Sequence, residues 1–435
     1  MRRSPRNLVV ACNHRGLTHF GGAFFFHEFL QVLQLRDCLA RHLRYPRRNS
    51  RYSTSQMILT LVYPIVLGLD RIETASFLRS NGTFQYLTGL PSFPDPQTLR
   101  RFLLHAPPRF WEQLHRLNDR LLQHFIHLPD HRSRLIFDLD STVLTVFGHQ
   151  DGAEVGYNPR YRGKRSYNPL VCMEANSSYL WDTELRRGNA GTWDGSVELL
   201  QTCFANIPPD IRELRVRADA GFGVNPVLEA LESWPAEYAV VARMTPALKR
   251  ALPGLRYAPV GGDWEMADIQ LRPQGWSHAR RFVVARRYFS ADEQQPTLFT
   301  MGRYEYRAWV TSLSLTPLGV WRFYDSRAAL EPRIGELLHD YALRKIPTRS
   351  FEANALFLEA IRLAYNLVTA FQRLCLQQSW QNLTLSKLRY KLFLLPGEIT
   401  RPQNRPVLRL RESSMIQTLA DDTLCAINKL HPLTF

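Results

Sequence analysis

The sequence predicts an α/β protein with helical flanks. Three observations carry that prediction. Apolar residues recur at helical spacing through residues 1–130 and again after Pro317. From residue 131 the period shortens to two, in RLIFDLDSTV, SYNPLVCMEAN and ELRVRADAGF. A helical stretch, NPVLEALESW, follows the third of these, and strands mixed with crossover helices build an α/β core.

Residues 1–130 are expected to form a helical DNA-binding domain. HEFLQVLQLRDCLARHL and RFWEQLHRLNDRLLQHFI carry apolar residues on one helical face, and the stretch between them has the rhythm of helix, turn, helix. Asp95 is placed to cap the second of those helices, and Pro96 suits its first position. That helix presents Arg100 and Arg101, residue types that reach bases and phosphates; a helical hairpin with a basic face would look the same. Residues 131–235 are expected to hold the first part of the core. Residues 236–310 read as a basic, β-rich insertion through EYAVVARM, ARRFVVARRYF and YEYRAWVTSLSL. Helices then return over 311–375 as the second part of the core. The tail, 376–435, reads as helix plus a Pro-rich loop and is a candidate dimerisation element.

Charge and cysteine usage narrow the function classes. The 435 residues hold 55 Lys and Arg against 39 Asp and Glu, a formal charge of +16. Such an excess favours a polyanionic partner, here nucleic acid. The six cysteines lie far apart with no paired spacing, which excludes a zinc ribbon or disulfide framework and fits a reducing cytoplasm. The basic start MRRSPRNLVVAC has too short an apolar run for a signal peptide. MILTLVYPIVLGL is broken by Pro64 and falls well below the ~20 residues of a membrane span. A soluble, cytoplasmic protein without membrane attachment is expected.

The stretch RLIFDLDSTVLTVFG, residues 134–148, concentrates the chemistry. In a strand, Asp138 and Asp140 share one face and Leu135, Phe137 and Leu139 the other. Both carboxylates then emerge near the strand's C-terminal end, where open α/β sheets bind ligands. Two chemistries fit. Asp138, Asp140 and Thr142 match the Asp-x-Asp-x-Thr pattern of haloacid dehalogenase-type phosphatases, with Asp138 as nucleophile and Asp263 and Asp268 as further metal ligands. Alternatively, Asp140 is one of three carboxylates in a nuclease-like site.

Downstream residues favour the second. RVRADAGF sets Asp219 just past another apolar strand. FYDSRAALE sets Tyr324, Arg327 and Glu331 at i, i+3 and i+7, one face of a continuous helix. Three carboxylates of this kind suit magnesium, which takes oxygen ligands and keeps waters. Two such ions, about 3.5–4 Å apart, can serve the attacking and leaving oxygens of a phosphodiester. The loop NPRYRGKRSYNP adds Arg160, Arg162, Lys164 and Arg165, interleaved with tyrosines, as a phosphate-gripping candidate; a turn with solvated charges is the bland alternative.

With D-S-T, D-x-G-F and a helical Y-x2-R-x3-E in this order around a basic β segment, the chain resembles the DDE transposases of bacterial insertion sequences, the cut-and-paste group. The resemblance implies a ribonuclease H-like mixed-sheet catalytic core with a β-rich insertion. It implies Asp140, Asp219 and Glu331 as catalytic and metal-binding triad, with two Mg2+ ions for which Mn2+ can substitute. It implies Tyr324 and Arg327 as contacts to DNA phosphate, double-stranded transposon ends and target DNA as partners, and a homodimer in the DNA complex. The family's lysine seven residues after the glutamate is Leu338 here, leaving Arg333, Arg344 or Lys345 to supply that contact. Pro332 removes a helical N–H directly after Glu331 and predicts a kink. Hairpin formation at a cleaved end takes a base out of the stack, and Trp309 is the expected platform, with Trp264, Trp276 and Trp321 as competitors. A phosphatase using Asp138 and Asp140, and a DNA-binding derivative without catalysis, are the alternatives.

Overall fold

Five strands set the position of the site in the computed structural model, which describes all residues except 1–11, 13, 15, 48–49, 91, 130–131, 289–299 and 302. The basic N-terminal stretch weighed above as a signal peptide lies largely outside the described residues. The strands are β1 (Arg134–Ser141), β2 (Leu170–Glu174), β3 (Leu180–Glu184), β4 (Glu213–Ala218) and β5 (Ala236–Val241), in the spatial order β3-β2-β1-β4-β5. The first three form an antiparallel meander, and β4 and β5 run parallel to β1. This is the ribonuclease H-like order. Parallel neighbours need crossovers. Helices α2 (Ser196–Ala205) and α3 (Asn225–Ser233) supply them, after α1 (Phe110–Phe125) has led into β1.

Alternation along β1 explains its two faces. Leu135, Phe137 and Leu139 are buried on one side, where the Phe137 ring lies 4.8 Å from Trp181 and 6.5 Å from Phe204. Asp138 and Asp140 take the other.

The β-rich segment extends this same sheet. Strands β6 (Ala258–Gly261), β7 (Trp264–Leu271), β8 (Arg280–Tyr288), β9 (Thr300–Met301) and β10 (Tyr304–Thr311) follow, and β10 pairs antiparallel with β5. The strand at 236–241, read from sequence as the start of the insertion, therefore completes the core order.

Helix α4 (Pro317–Asp325) packs Val320 against Val283, Ala285 and Trp309 of the sheet. The continuous helix expected through Tyr324, Arg327 and Glu331 does not form. A 3-10 turn, Ser326–Ala329, separates α4 from α5 (Leu330–His339). The cause is competition for the helix's own acceptors. Arg217 Nη1 and Ser326 Oγ both donate to the Phe323 carbonyl, at 2.9 and 2.8 Å. Pro332 then sits in the first turn of α5, where a missing N–H is tolerated.

Helix α6 (Phe351–Cys375) closes the edge at β3. Asn366 Nδ2 donates to the Leu180 carbonyl and its Oδ1 accepts from the Leu180 N–H, both at 2.9 Å, so a side chain satisfies the edge strand's backbone. Arg362, fully buried on α6, donates to the Trp181 carbonyl and to Asp119 at 2.7 Å.

The chain divides into two compact units. One holds residues 42–46, 103–370 and 435; the other holds 1–41, 47–102 and 371–434. Helix α1, read from sequence within a domain ending at 130, belongs to the unit with the sheet, since Asn118 Nδ2 donates to Glu359 of α6 at 2.8 Å. In the other unit the tail joins the N-terminal residues. Leu17–Thr18 pairs with Gly397–Thr400, which pairs with Val407–Leu410, and the Phe371 ring lies 5.7 and 5.5 Å from Phe26 and Phe29.

Candidate active site

Two carboxylates meet at the C-terminal ends of β1 and β4. The parallel register pairs Asp138 with Arg217 and Leu139 with Ala218. Asp140 and Asp219 come next, on strands about 4.8 Å apart. Burial raises the Asp140 carboxyl to about 6; the Arg327 charge pulls it down and Asp219 pushes it up. Asp219 Oδ1 accepts from the Gly221 N–H at 2.8 Å. Its loop is held from outside by Arg243, which donates through Nε to the Ala220 carbonyl and through Nη2 to that of Gly221, both at 2.8 Å.

The two aspartates of β1 have different fates. Asp138 is 2% exposed and locked by Arg217, which donates through Nε to Oδ1 at 2.6 Å and through Nη2 to Oδ2 at 2.8 Å. Burial raises its carboxyl above the ordinary value, against the pull of Arg217. A carboxylate held in that fork cannot approach a phosphorus atom in line. Asp268 is paired on the sheet with Arg281, at 2.9 and 3.0 Å. The phosphatase alternative has neither its nucleophile nor its metal loop.

Arg327 lies over Asp140. Its Nη2 is 3.1 Å from Asp140 Oδ2 and donates to the Leu139 carbonyl at 2.8 Å. Its Nε is buried with no hydrogen-bond partner. Tyr324 is half-buried beside it, and burial raises its hydroxyl pKa, opposed by Arg327. Glu331, the second residue of α5, is exposed. The 3-10 turn advances about 3.0 residues per turn instead of 3.6, which rotates Glu331 off the face shared by Tyr324 and Arg327.

The donor chemistry suits a hard divalent cation. Asp140 and Asp219 are adjacent oxygen donors whose mutual repulsion such an ion would relieve. The third carboxylate is not gathered with them. Among the described residues no three His, Cys, Asp or Glu side chains are grouped to hold a metal ion.

The remaining sequence-predicted contacts are distributed as follows. Arg160, Arg162, Lys164 and Arg165 are all exposed on the hairpin between the short strands Glu154–Val155 and Arg165–Tyr167. Arg333 is half-buried on α5, and Leu338 is half-buried further along it. In the other unit, Asp95 Oδ1 accepts from the Gln97 N–H at 2.9 Å, capping the helix Pro96–Leu104. There Arg100 pairs with Glu73, while Arg101 is exposed. Trp309 is 3% exposed, with its ring 6.0 Å from both Trp321 and Tyr324. It is a core residue, because its strand is covered by α4, and so offers no open face to a base.

Two arginines escaped the sequence reading. Arg217 ties β1 and β4 to the turn bearing Arg327, and Arg186 organises the loop that follows β3. Each sits within or beside an apolar strand, where a cation needs a buried acceptor; that mismatch was the available signal.

Transposase DDE domain group 1 is the family whose model matches, over residues 2–432. The chain belongs to that family of DNA transposases. Among solved structures, the piggyBac transposase synaptic complex with hairpin DNA is 12% identical, over 88% of this chain and 82% of that one, with a TM-score of 0.46. The Mos1 transposase paired-end complex with left transposon end is 11% identical, over 45% of this chain and 60% of that one, with a TM-score of 0.18. The Mos1 mariner paired end complex with Mn is 10% identical, over 48% and 65%, with a TM-score of 0.17. No curated protein matches the chain. No described helix is long and apolar enough to cross a membrane.

Proposed function

We propose that this transposase binds the inverted-repeat ends of an insertion sequence as a homodimer. It cuts DNA and joins strands by in-line displacement at phosphorus, at a site made of Asp140, Asp219 and Glu331. The observation that carries this reading is the register-adjacent pair Asp140 and Asp219, with Arg327 against the first. Asp140 and Asp219, joined by Glu331, would hold the divalent ions, magnesium or in its place manganese. Such ions lower the pKa of water and stabilise the leaving oxygen of a phosphodiester.

The chain's own residues divide the remaining work. Arg327 keeps Asp140 compensated in the free protein, and its guanidinium is the group to exchange that carboxylate for a phosphate oxygen when DNA and ions arrive. Tyr324, beside it, orients the guanidinium. Arg160, Arg162, Lys164 and Arg165 grip phosphates of the approaching strand. Arg101 belongs to the end-binding surface. Glu331 has to approach the pair when DNA arrives, and the 3-10 turn before it is the segment able to adjust.

The test is strand cleavage of labelled DNA carrying the element's ends, with magnesium. Asp140→Asn and Asp219→Asn should abolish cleavage while keeping end binding, and Glu331→Gln should do the same. Cleavage surviving Asp219→Asn at the wild-type rate would refute the assignment.

A further inference from the structure

In the unit that holds the tail, the hairpin joining Gly397–Thr400 to Val407–Leu410 has the tip Arg-Pro-Gln-Asn-Arg-Pro, residues 401–406. Leu17–Thr18 pairs with Gly397 and Glu398, nearer the base, and residues 401–407 are all exposed. The hairpin therefore projects as a two-stranded ribbon. Its base is anchored, because Leu408 and Leu410 share one face and line a cleft with Phe24, Phe25 and Ile416. Its tip is stiff. Pro402 and Pro406 fix two φ angles, and the N–H groups of Asn404 and Arg405 donate to the carbonyls of Arg401 at 3.3 Å and Pro402 at 3.0 Å.

Two properties of this ribbon serve no fold. Gln403 and Asn404 both hold left-handed backbone, with φ of 51° and 62°. Glycine takes that region freely, whereas two successive side chains there are uncommon and mark a constraint other than turning the chain. The second property is the choice of cation. Residues 397–412 hold four arginines and no lysine. Arg405, Arg409 and Arg411 are exposed, and their side chains make no hydrogen bond or ion pair among the described residues. Glu398, opposite Arg409 in the register, lies 3.0 Å from His14 instead. Arg401 is set over the ring of Tyr86, 5.5 Å from its centre. A face that only needed solvation would not prefer the planar arginine fork to lysine. Nor does the ribbon suit a second copy of itself. Val407–Leu410 is the sheet's edge, but a two-fold through any of residues 407–410 sets an arginine against an arginine.

We propose that this ribbon enters the major groove of bound DNA and reads bases there, Gln403 and Asn404 at the tip and Arg401 and Arg405 flanking them. This rests on the DNA-binding reading above and adds a sequence-reading element in the tail. The major groove, about 12 Å wide, admits a two-stranded ribbon. There a glutamine or asparagine amide pairs with adenine N6 and N7, and an arginine fork with guanine O6 and N7. Arg409 and Arg411, further from the tip, are left to phosphates. The stiff turn means that little ordering cost falls on the protein when DNA arrives.

The test uses the full chain without added metal, so that binding is read apart from cleavage. Repeated selection by wild type from a pool of randomised duplexes gives a preferred duplex, and fluorescence anisotropy compares it with the unselected pool. Arg405→Lys keeps the charge and loses the fork. It should weaken binding of the preferred duplex by about 5- to 100-fold and leave the pool nearly unchanged. Asn404→Gly keeps the left-handed turn and removes only the amide, so it should show the same split with no fall in thermal midpoint. Selection repeated with either variant should relax one or two adjacent positions of the motif and keep the rest. Equal losses on both DNAs, no loss on either, or a wild type that binds the pool but selects no motif would overturn the ribbon and leave the transposase reading standing. Wild type binding no duplex at all would remove both.

Discussion

Arg327 Nη2 stands 3.1 Å from Asp140 Oδ2 while donating to the Leu139 carbonyl one residue earlier. A guanidinium thus occupies the position from which a cation would neutralise Asp140. It is a charge that any incoming divalent ion must face.

Removing that charge should separate ion binding from DNA work. In Arg327→Ala, divalent-ion affinity of the DNA-free protein should rise about tenfold or more, since a unit charge near 4 Å is worth several kcal/mol at an effective dielectric of 20. Cleavage of end DNA should fall. Calorimetric titration with magnesium reads the first effect, and an unchanged or weaker affinity would show that Arg327 does not compete for the site.

Asp138 and Asp140 should fail in different ways. Asp138→Asn leaves Arg217 with an uncompensated buried charge, a loss of about 3 kcal/mol or more. Its thermal midpoint should drop, with activity lost in proportion to folding. Asp140→Asn removes a carboxyl already raised to about 6 and leaves Arg327 its bond to the Leu139 carbonyl, so its midpoint should fall less than that of Asp138→Asn while cleavage disappears. A stable but inactive Asp138→Asn beside an active Asp140→Asn would reverse the assignment.

His115 predicts a stability change at alkaline pH. Its ring faces Glu359 at 3.0 Å, Arg362 at 3.3 Å, Asp119 at 3.6 Å and Asp182 at 3.7 Å. Burial alone would lower its pKa, but the charge and hydrogen bond of Glu359 raise it to about 9. A folded pKa above the unfolded value near 6.5 means the contribution is complete below that value and is lost as pH rises through 9. Asp182, raised to about 6, has titrated before the window opens, and Glu184, raised to about 7, adds only a smaller loss at its lower edge. Wild type should lose on the order of 2–3 kcal/mol between pH 7 and 10. Denaturation curves of His115→Gln should lack that slope.

DNA affinity should depend steeply on salt. If about six phosphates are contacted, binding falls roughly 10³-fold between 50 and 200 mM salt. Arg162→Ala, exposed on the hairpin, should weaken binding to any sequence alike. Arg101→Ala should weaken binding of the element's own ends, and more so than Arg100→Ala, because Arg100 is already paired with Glu73. A flat salt dependence in an anisotropy titration would remove the phosphate-gripping role.

Local periodicity was enough to read much of this protein from its residues. The alternation in RLIFDLDS puts two aspartates on one strand face, and the run of strand, crossover helix and strand places Asp140 and Asp219 at matching ends. The cap at Asp95 is equally local, since its acceptor and donor are two residues apart. Each of these follows from the backbone's own repeat, which needs no distant partner.

What needed the tertiary structure was the choice among chemically equal residues. Asp138 and Asp140 are the same side chain on the same face. They differ because Arg217, 79 residues away along the chain, lands opposite the first through strand register. The same arginine, with Ser326, takes the Phe323 carbonyl and breaks the helix that spacing alone made continuous. Trp309 reads from sequence as an open platform, and only the cover provided by α4 shows it to be buried. Repeat along the chain decides which way a side chain points; pairing across the fold decides what it meets there.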